Sequence, residues 1–361
     1  MMDTSPQTTH EYGSNSGQGN LLGIQPYLTL QDYRSAETLS QKLETHLALA
    51  RQKGWIGPET IVLFPELTGT YLLTAQEGRE VYAPQPFWEA AYRIVQAHGM
   101  PLPADPARLP PEQQRQLAGL VRSKLMEFKA PLAAQIYQQV FSRLAQRYEV
   151  TLVAGSLFLP APSIQGDQFV CDVAGPISNV CAVFQPNGQL YPELVKKVYP
   201  IQEEAEFLGI AGGALEDLPV FSTPKGKLGV AICADSWYPQ TYQTLQQKGA
   251  QLLVSPSHRA ATALVSGQVW PGYSEAPGVP VPEDMDGRDI NLLTPYQAWV
   301  KYAMPERIKQ TTIAYGMTVF AQGHYWQETL VGGRPGIVAH GEYLTQPDPP
   351  HAPEVISFWL N

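Results

Sequence analysis

Thr60-Ile61-Val62-Leu63-Phe64 is an unbroken apolar run that stops at Pro65-Glu66. A run of this kind predicts a strand buried on both faces, which in turn needs helices to cover its sheet. The segment before it supplies one: Asp32 to Lys53 carries Leu39, Leu43 and Leu47 at helical spacing, closed by Gly54, Gly57 and Pro58. Leu21 to Ile24 reads as a first buried strand. The alternation continues with an amphipathic helix marked by Ile136, Val140 and Leu144. Strands are expected over Thr151 to Leu159 and Val180 to Phe184, the second followed by a Pro186-Asn187-Gly188 turn. Leu190 to Tyr199 reads as extended. Val220 to Ser222 and Leu228 to Ile232 flank Pro224-Lys225-Gly226 and predict a hairpin. A helix over Tyr242 to Lys248 and a strand over Gln251 to Val254 follow. Arg307 to Ile313 reads as helical, and Met317 to Gln322, Gly336 to Ala339 and Val355 to Trp359 as late strands.

Strands and helices mix without a break in composition, which predicts one α/β domain over residues 21–361. Two irregular insertions interrupt it. One spans about 73–134, broken by Pro101, Pro103, Pro106, Pro110 and Pro111; the other spans about 258–305, is rich in Gly and Pro, and holds Trp270, Tyr273 and Trp299. Residues 1–20 are polar and read as a disordered N-terminal tail.

Composition narrows the function classes. The net charge is −9, with no Lys/Arg cluster, which argues against a nucleic-acid partner. Cys171, Cys181 and Cys233 are odd in number and form no framework of paired spacings, as expected in a reducing compartment. The N-terminus lacks the basic start and apolar stretch of a secretory signal, and no apolar run reaches membrane-spanning length. A cytoplasmic protein without membrane association is expected. The seven His are scattered, and Gly332-Gly333-Arg334-Pro335-Gly336 does not match a phosphate-cradling loop, so neither a metal nor a cofactor is expected.

Three reactive side chains stand at or near the end of strand-like runs. Glu66 follows Ile61–Phe64, Lys197 lies in Leu194–Val198, and Cys233 follows Leu228–Ile232. After Cys233, Ala234, Asp235, Ser236 and Pro239 read as a turn into a helix, whose backbone N–H groups are expected to favour thiolate over thiol. A carboxylate, an ammonium and a thiol form a plausible nucleophilic set: the acid takes the thiol proton, the sulfur attacks, and the ammonium stabilises the negative charge that develops. The residues alone leave other roles open. A Cys at a strand end also serves as a small core residue, a Glu after Pro as a solvated turn residue, and Lys196-Lys197 as a surface pair.

The segments Phe64-Pro65-Glu66-Leu67-Thr68-Gly69, Lys197-Val198-Tyr199-Pro200 with Glu203-Glu204, and Gly229-Val230-Ala231-Ile232-Cys233-Ala234-Asp235 occur in this order. Together they resemble the three signatures of the nitrilase, or carbon–nitrogen hydrolase, superfamily. Pro186-Asn187-Gly188, Pro239 and the stretch from Gly249 to Ser257 are similar to the family's flanking turn, helix and strand. The resemblance runs from about Leu21 to near the C-terminus, outside the insertions. It implies an αββα sandwich with two central sheets flanked by helices.

The resemblance also implies roles. Cys233 matches the nucleophile, Glu66 the general base and later acid, and Lys197, rather than Lys196, the oxyanion partner. Glu204 matches a second acid that holds the site, with Glu203 as the alternative register. The Ala234 N–H is the second oxyanion donor. Tyr71, Tyr199, Trp237, His258 and Trp270 are candidate pocket residues, and Arg259 follows His258. Trp270 and Tyr273 either roof the pocket or pack as lid residues. The implied activity is thioester-forming hydrolysis of a small-molecule amide or nitrile, with Cys-Ala-Asp favouring the amidase and carbamoylase branches. Acyl transfer and a catalytically silent binding protein are the alternatives. A homodimer or higher homo-oligomer is expected. Two departures stand out: Tyr199-Pro200 where many members have His-Leu, and Ala314-Tyr315-Gly316 where many have Glu-Asn.

Overall fold

The computed structural model describes residues 8–259, 269–326, 328–330, 333, 335–345 and 354–361. The chain begins with β1 (Thr8–Tyr12), β2 (Asn20–Gln25), β3 (Tyr27–Thr29), α1 (Ala36–Gln52), β4 (Thr60–Leu63), α2 (Phe87–Ala97) and α3 (Pro111–Tyr148). It continues through β5 (Thr151–Pro160), β6 (Pro162–Gln165), β7 (Gln168–Cys171), β8 (Ile177–Phe184), β9 (Val195–Lys196), α4 (Gln202–Glu206), β10 (Val220–Thr223) and β11 (Gly226–Val230). The last part carries α5 (Pro239–Gln247), β12 (Leu252–Ser257), α6 (Pro295–Tyr302), α7 (Met304–Arg307), β13 (Tyr315–Phe320) and β14 (Gln322–Tyr325). It closes with β15 (Glu328–Leu330), β16 (Gly336–Ala339), β17 (Glu342–Tyr343) and β18 (Glu354–Trp359).

Two mixed sheets dominate. One has the order β1-β18-β2-β4-β5-β8-β9, the other β10-β11-β12-β13-β16-β17. In the first, β2, β4 and β5 pair in parallel; in the second, β11, β12 and β13 do. The alternation of side chains along β4 sorts the core into two layers. Val62 and Phe64 join Leu39, Leu43 and Leu47 of α1 and Tyr137, Val140 and Phe141 of α3. Ile61 and Leu63 face the opposite way and join Val230, Val254 and Val319 of the second sheet. Ser35 caps α1, its hydroxyl accepting from the Thr38 N–H at 3.2 Å. Helices α5 and α7 pack on the second sheet's other side, through Tyr242, Leu245 and Met304. The result is the expected αββα sandwich. The sheets approach closely at Gly23 of β2, where a Cβ would lie 2.7 Å from Val319 Cγ1 of β13.

The structure departs from the sequence reading in several places. Residues 8–12, placed in a disordered tail, form the edge strand β1 in parallel pairing with β18. The strand partner lies some 340 residues away in the chain, beyond any local signal. The 73–134 segment is largely helical: the prolines cluster ahead of α3, which starts with Pro111 in the first turn, where its missing N–H costs nothing. The helix marked by Ile136, Val140 and Leu144 is therefore the second half of a 38-residue helix with Pro131 inside it. Of Leu190 to Tyr199, only Val195–Lys196 pairs as a strand. The late helix sits earlier than expected, as α7 followed by a 3-10 turn over Ile308–Gln310. The 258–305 segment contains α6, and its residues 260–268 lie outside the described residues. Among the described residues, no helix is long and apolar enough to cross a membrane.

Candidate active site

Glu66 leaves β4 through Phe64, whose N–H donates to Val153 O at 3.0 Å, and then Pro65. The loop beyond it docks on β5. The Leu67 N–H donates to Ser156 Oγ at 3.0 Å, and the Gly69 N–H to Ser156 O at 2.9 Å. Gly155 makes that docking possible: it has φ +71, and a Cβ there would sit 2.1 Å from Pro65 O. Glu66 is thus set on a stiff mount, 2 % exposed.

Lys197 follows β9. Its N–H donates to Asn179 O at 2.9 Å, extending the pairing of β9 with β8. The side chain is 1 % exposed, and Nζ lies 2.9 Å from Glu66 Oε1 and 2.7 Å from Glu204 Oε2. An ammonium has three donors, so one remains for another acceptor. Asn179 of β8 completes the cluster, its Nδ2 donating to Glu66 Oε1 at 2.9 Å and Glu204 Oε1 at 3.0 Å. Glu204 Oε2 also accepts the Ile201 N–H at 3.0 Å, which anchors the short α4 to the site. The cluster therefore contains two carboxylates, one ammonium and a bridging amide, all buried.

Cys233 comes from the other sheet. It stands three residues after β11, with φ 49, in the left-handed region that a residue with a Cβ rarely adopts. A 3-10 turn over Cys233–Trp237 follows, and α5 begins only at Pro239, so the expected direct passage into a helix is interrupted by one tight turn. Ala234 follows the thiol directly in this turn. The Cys233 thiol donates to His258 O at 3.5 Å, and it lies within hydrogen-bonding reach of the Glu66 carboxylate. Asp235, fully buried, joins the two sheets' contributions. Its Oδ1 accepts the Val198 and Tyr199 N–H groups at 3.0 and 2.8 Å, and its Oδ2 accepts the Ile232 N–H at 3.3 Å.

The electrostatics follow from burial and pairing. Burial raises the Glu66 carboxyl above its ordinary value; the Lys197 charge opposes this, while Glu204 adds to it. Burial alone would lower Lys197, but Glu204 and Glu66 together outweigh it and hold the ammonium well above its usual range. Burial also acts against ionised Glu204, and Lys197 with its hydrogen bonds overcomes it, so this carboxyl is lowered. Burial, then the Glu66 charge, pushes the Cys233 thiol up, against the pull of Lys197. The expectation that backbone N–H groups would favour thiolate is therefore reversed: the resting sulfur keeps its proton and needs a base. Burial pushes Asp235 up to about 7 despite its three N–H donors. Burial and then the Lys197 charge lower His258 to about 4, which makes its imidazole neutral at pH 7.

The candidate pocket residues separate. Tyr71 lines a small cavity with Glu66, stacked on Tyr325 at 3.8 Å between ring centroids. His258 contributes its carbonyl to the thiol, and Arg259 lies close enough to act on the sulfur by charge. Tyr199 stacks on Tyr238 at 3.7 Å. Trp237 and Trp270 stack at 6.1 Å in an aromatic cluster with Tyr273 and Tyr302, and Trp270 is buried there. Arg307 ties that cluster to the turn after Cys233, its Nε donating to Trp237 O at 3.1 Å and Tyr302 O at 3.0 Å while its guanidinium pairs with Asp284. Sequence reasoning did not single out Asn179 or the clamp formed by Asp235. The signal for the first is an Asn directly ahead of the apolar run Val180 to Phe184.

The sequence pattern of the family described as "Carbon-nitrogen hydrolase" matches residues 29–275. Among characterised relatives, omega-amidase NIT2 of Danio rerio is 32% identical over 126 residues, covering 33% of this chain and 40% of that protein. Deaminated glutathione amidase of Synechocystis is 28% identical over 151 residues, covering 39% and 50%. These matches thus span half or less of the relatives' length. In three dimensions, a variant of the Nesterenkonia AN1 amidase from the nitrilase superfamily aligns with TM-score 0.54 at 15% identity, covering 97% of this chain and 94% of that one. The carbon-nitrogen hydrolase of Helicobacter pylori G27 aligns with TM-score 0.52 at 16% identity, covering 94% and 88%. At these identities the structural likeness is one of fold. With its own fold matching theirs and the family's pattern spanning most of its length, the chain belongs to the carbon-nitrogen hydrolase family.

Proposed function

We propose that the protein is a thiol-dependent amidase acting on small amides through a thioester on Cys233. The observation that carries this reading is the meeting of buried Glu66 and Lys197 with half-buried Cys233 at one point, from three strand ends on two sheets.

In the cycle, the sulfur attacks the amide carbonyl carbon as Glu66 takes the thiol proton. The carbonyl electron pair moves to oxygen, where the free donor of Lys197 Nζ and the Ala234 N–H hold it. Collapse breaks the C–N bond, and Glu66 gives its proton to the departing amine. Water then attacks the thioester with Glu66 again as base, the C–S bond breaks, and the sulfur regains its proton. Glu204 and Asn179 keep Lys197 and Glu66 in place and take no proton in the cycle. The depressed Glu204 carboxyl supports that division, since it stays ionised while Glu66 titrates.

Two measurements test the reading. Release of amine or ammonia from a panel of amides, ureides and nitriles is expected for small amides first; turnover of nitriles alone, or of nothing, contradicts it. The pH profile gives a second test. Glu66 must be ionised to accept the thiol proton, and its carboxyl is raised. The acid limb of kcat/KM is therefore expected above the ordinary Glu value of about 4.3, with activity lost as pH falls through it. Lys197 is held well above its ordinary value, so its charge persists up to at least about pH 10. A limb at or below about 4 contradicts Glu66 as the base.

A further inference from the structure

Gln322 opens β14 directly after Ala321, whose N–H donates to Ser257 O at 2.9 Å. The residue after Ser257 is His258, whose carbonyl accepts the Cys233 thiol. Gln322 is thereby held beside the wall that carries the sulfur. It also shares with Glu66 a cavity lined by Thr68, Tyr71 and Tyr325. The residue is 3 % exposed, and among the described residues neither Oε1 nor Nε2 has a hydrogen-bond partner.

A buried side-chain amide with both groups unpaired is destabilising, and a Leu or Met would fill such a strand position without that cost. The amide has a use only towards a polar occupant of the cavity. The cavity volume, about 10 Å³, is close to what one water molecule needs and far below what an amide substrate needs. The reaction proposed above requires one water beside Glu66 in its second half.

We propose that Gln322 is a positioning residue for deacylation, its side-chain amide holding the attacking water against Glu66. This rests on the thioester reading of Cys233. Oε1 accepts one hydrogen of the water and Glu66 the other, which leaves a lone pair on the water oxygen for the acyl carbon. As the C–O bond forms, Glu66 takes the proton. The C–S bond then breaks, its electron pair goes to sulfur, and Glu66 returns the proton there. The products are the carboxylic acid and the free thiol, with no other reactant.

The test uses the full chain with its best amide substrate, in wild type, Gln322→Met and Gln322→Asn, quenched during turnover and weighed intact. In Gln322→Met the acylation rate is expected within a few-fold of wild type, while the deacylation rate falls about 10²-fold. The thioester then accumulates in the steady state. Hydroxylamine, a nucleophile that needs no positioned water, takes the acyl group as the hydroxamate and restores turnover. Gln322→Asn, which keeps a donor and an acceptor, recovers part of the deacylation rate. Equal loss of both half-reactions in Gln322→Met, a raised KM with unchanged kcat, or unchanged deacylation overturns the assignment while leaving the thioester reading intact. A wild type that never carries an acyl group on Cys233 overturns the thioester reading and this assignment with it.

Discussion

Cys233→Ala is expected to lower kcat/KM on the best amide substrate by at least about 10⁴-fold, because the proposed cycle carries its acyl group on this sulfur. The fold survives the change. Alanine meets the same φ 49 that the cysteine already tolerates, and the contacts it gives up are the long 3.5 Å bond to His258 O and the approach to the Glu66 carboxylate. The melting temperature is therefore expected within a few degrees of wild type. The other cysteines serve as controls. Cys181 is fully buried in the core between the sheets, and burial pushes its thiol up. Cys171 lies in β7, away from the cluster, and its thiol is raised by burial and then by Asp172. Cys171→Ala is expected to keep full activity. Comparable losses in Cys171→Ala and Cys233→Ala, measured by steady-state kinetics, would contradict a dedicated nucleophile at 233.

Lys197→Met has the second largest effect, and it acts on both rate and stability. In the proposed cycle it removes one oxyanion donor, for which a loss in kcat of about 10²–10³-fold is expected. The side chain also separates two buried carboxylates, Glu66 at 2.9 Å and Glu204 at 2.7 Å. Removing the cation from such a buried set typically costs about 3–5 kcal/mol, since the charges left behind are uncompensated. The pH dependence has a definite sign. In wild type the lowered Glu204 carboxyl contributes stability that is present above its unfolded value and lost as pH falls. Without Lys197 both carboxyls have raised folded values, so the variant is least impaired at acidic pH, where they are protonated. Its stability deficit grows as pH rises through those raised values. Urea denaturation of both proteins at several pH values measures this. A deficit that is flat with pH would mean that the lysine contributes packing and not charge.

The parts of the fold that sequence revealed are those whose pattern is local. Ile61 to Leu63 and Leu252 to Val254 are apolar throughout because their strands are covered on both faces. The hairpin of β10 and β11 is announced by the turn at Pro224-Lys225-Gly226 between two apolar runs. Edge strand β1 has no such signal, since its partner is the far end of the chain. Helix α3 was obscured because prolines ordinarily break helices, and here Pro111 starts one while Pro131 lies within it.

The site divides along the same line. Glu66, Lys197 and Cys233 are visible because each follows or ends an apolar run, and their order matches the family's signatures. Glu204 is visible only as an offset from Lys197. Asn179 and Gln322 are neutral amides within strands β8 and β14, and their meaning lies in what surrounds them in space. One bridges two carboxylates; the other has no hydrogen-bond partner among the described residues. The state of the sulfur was also out of reach, because burial and the Glu66 charge together outweigh the Lys197 charge and raise it. Trp237 and Trp270 were recognisable as aromatics near the site, but whether they line a cavity or stack on each other depends on Arg307, which anchors their cluster from a distant helix.

Peptide mapping by mass spectrometry, on wild-type protein quenched during turnover of an amide, bears most directly on the convergence of the three side chains around one sulfur. An acyl-sized mass gain on the peptide holding Cys233, absent from those holding Cys171 and Cys181 and absent in Cys233→Ala, is the predicted result. Product formation with the acyl group found on another residue, or with no adduct at any quench time, would contradict it.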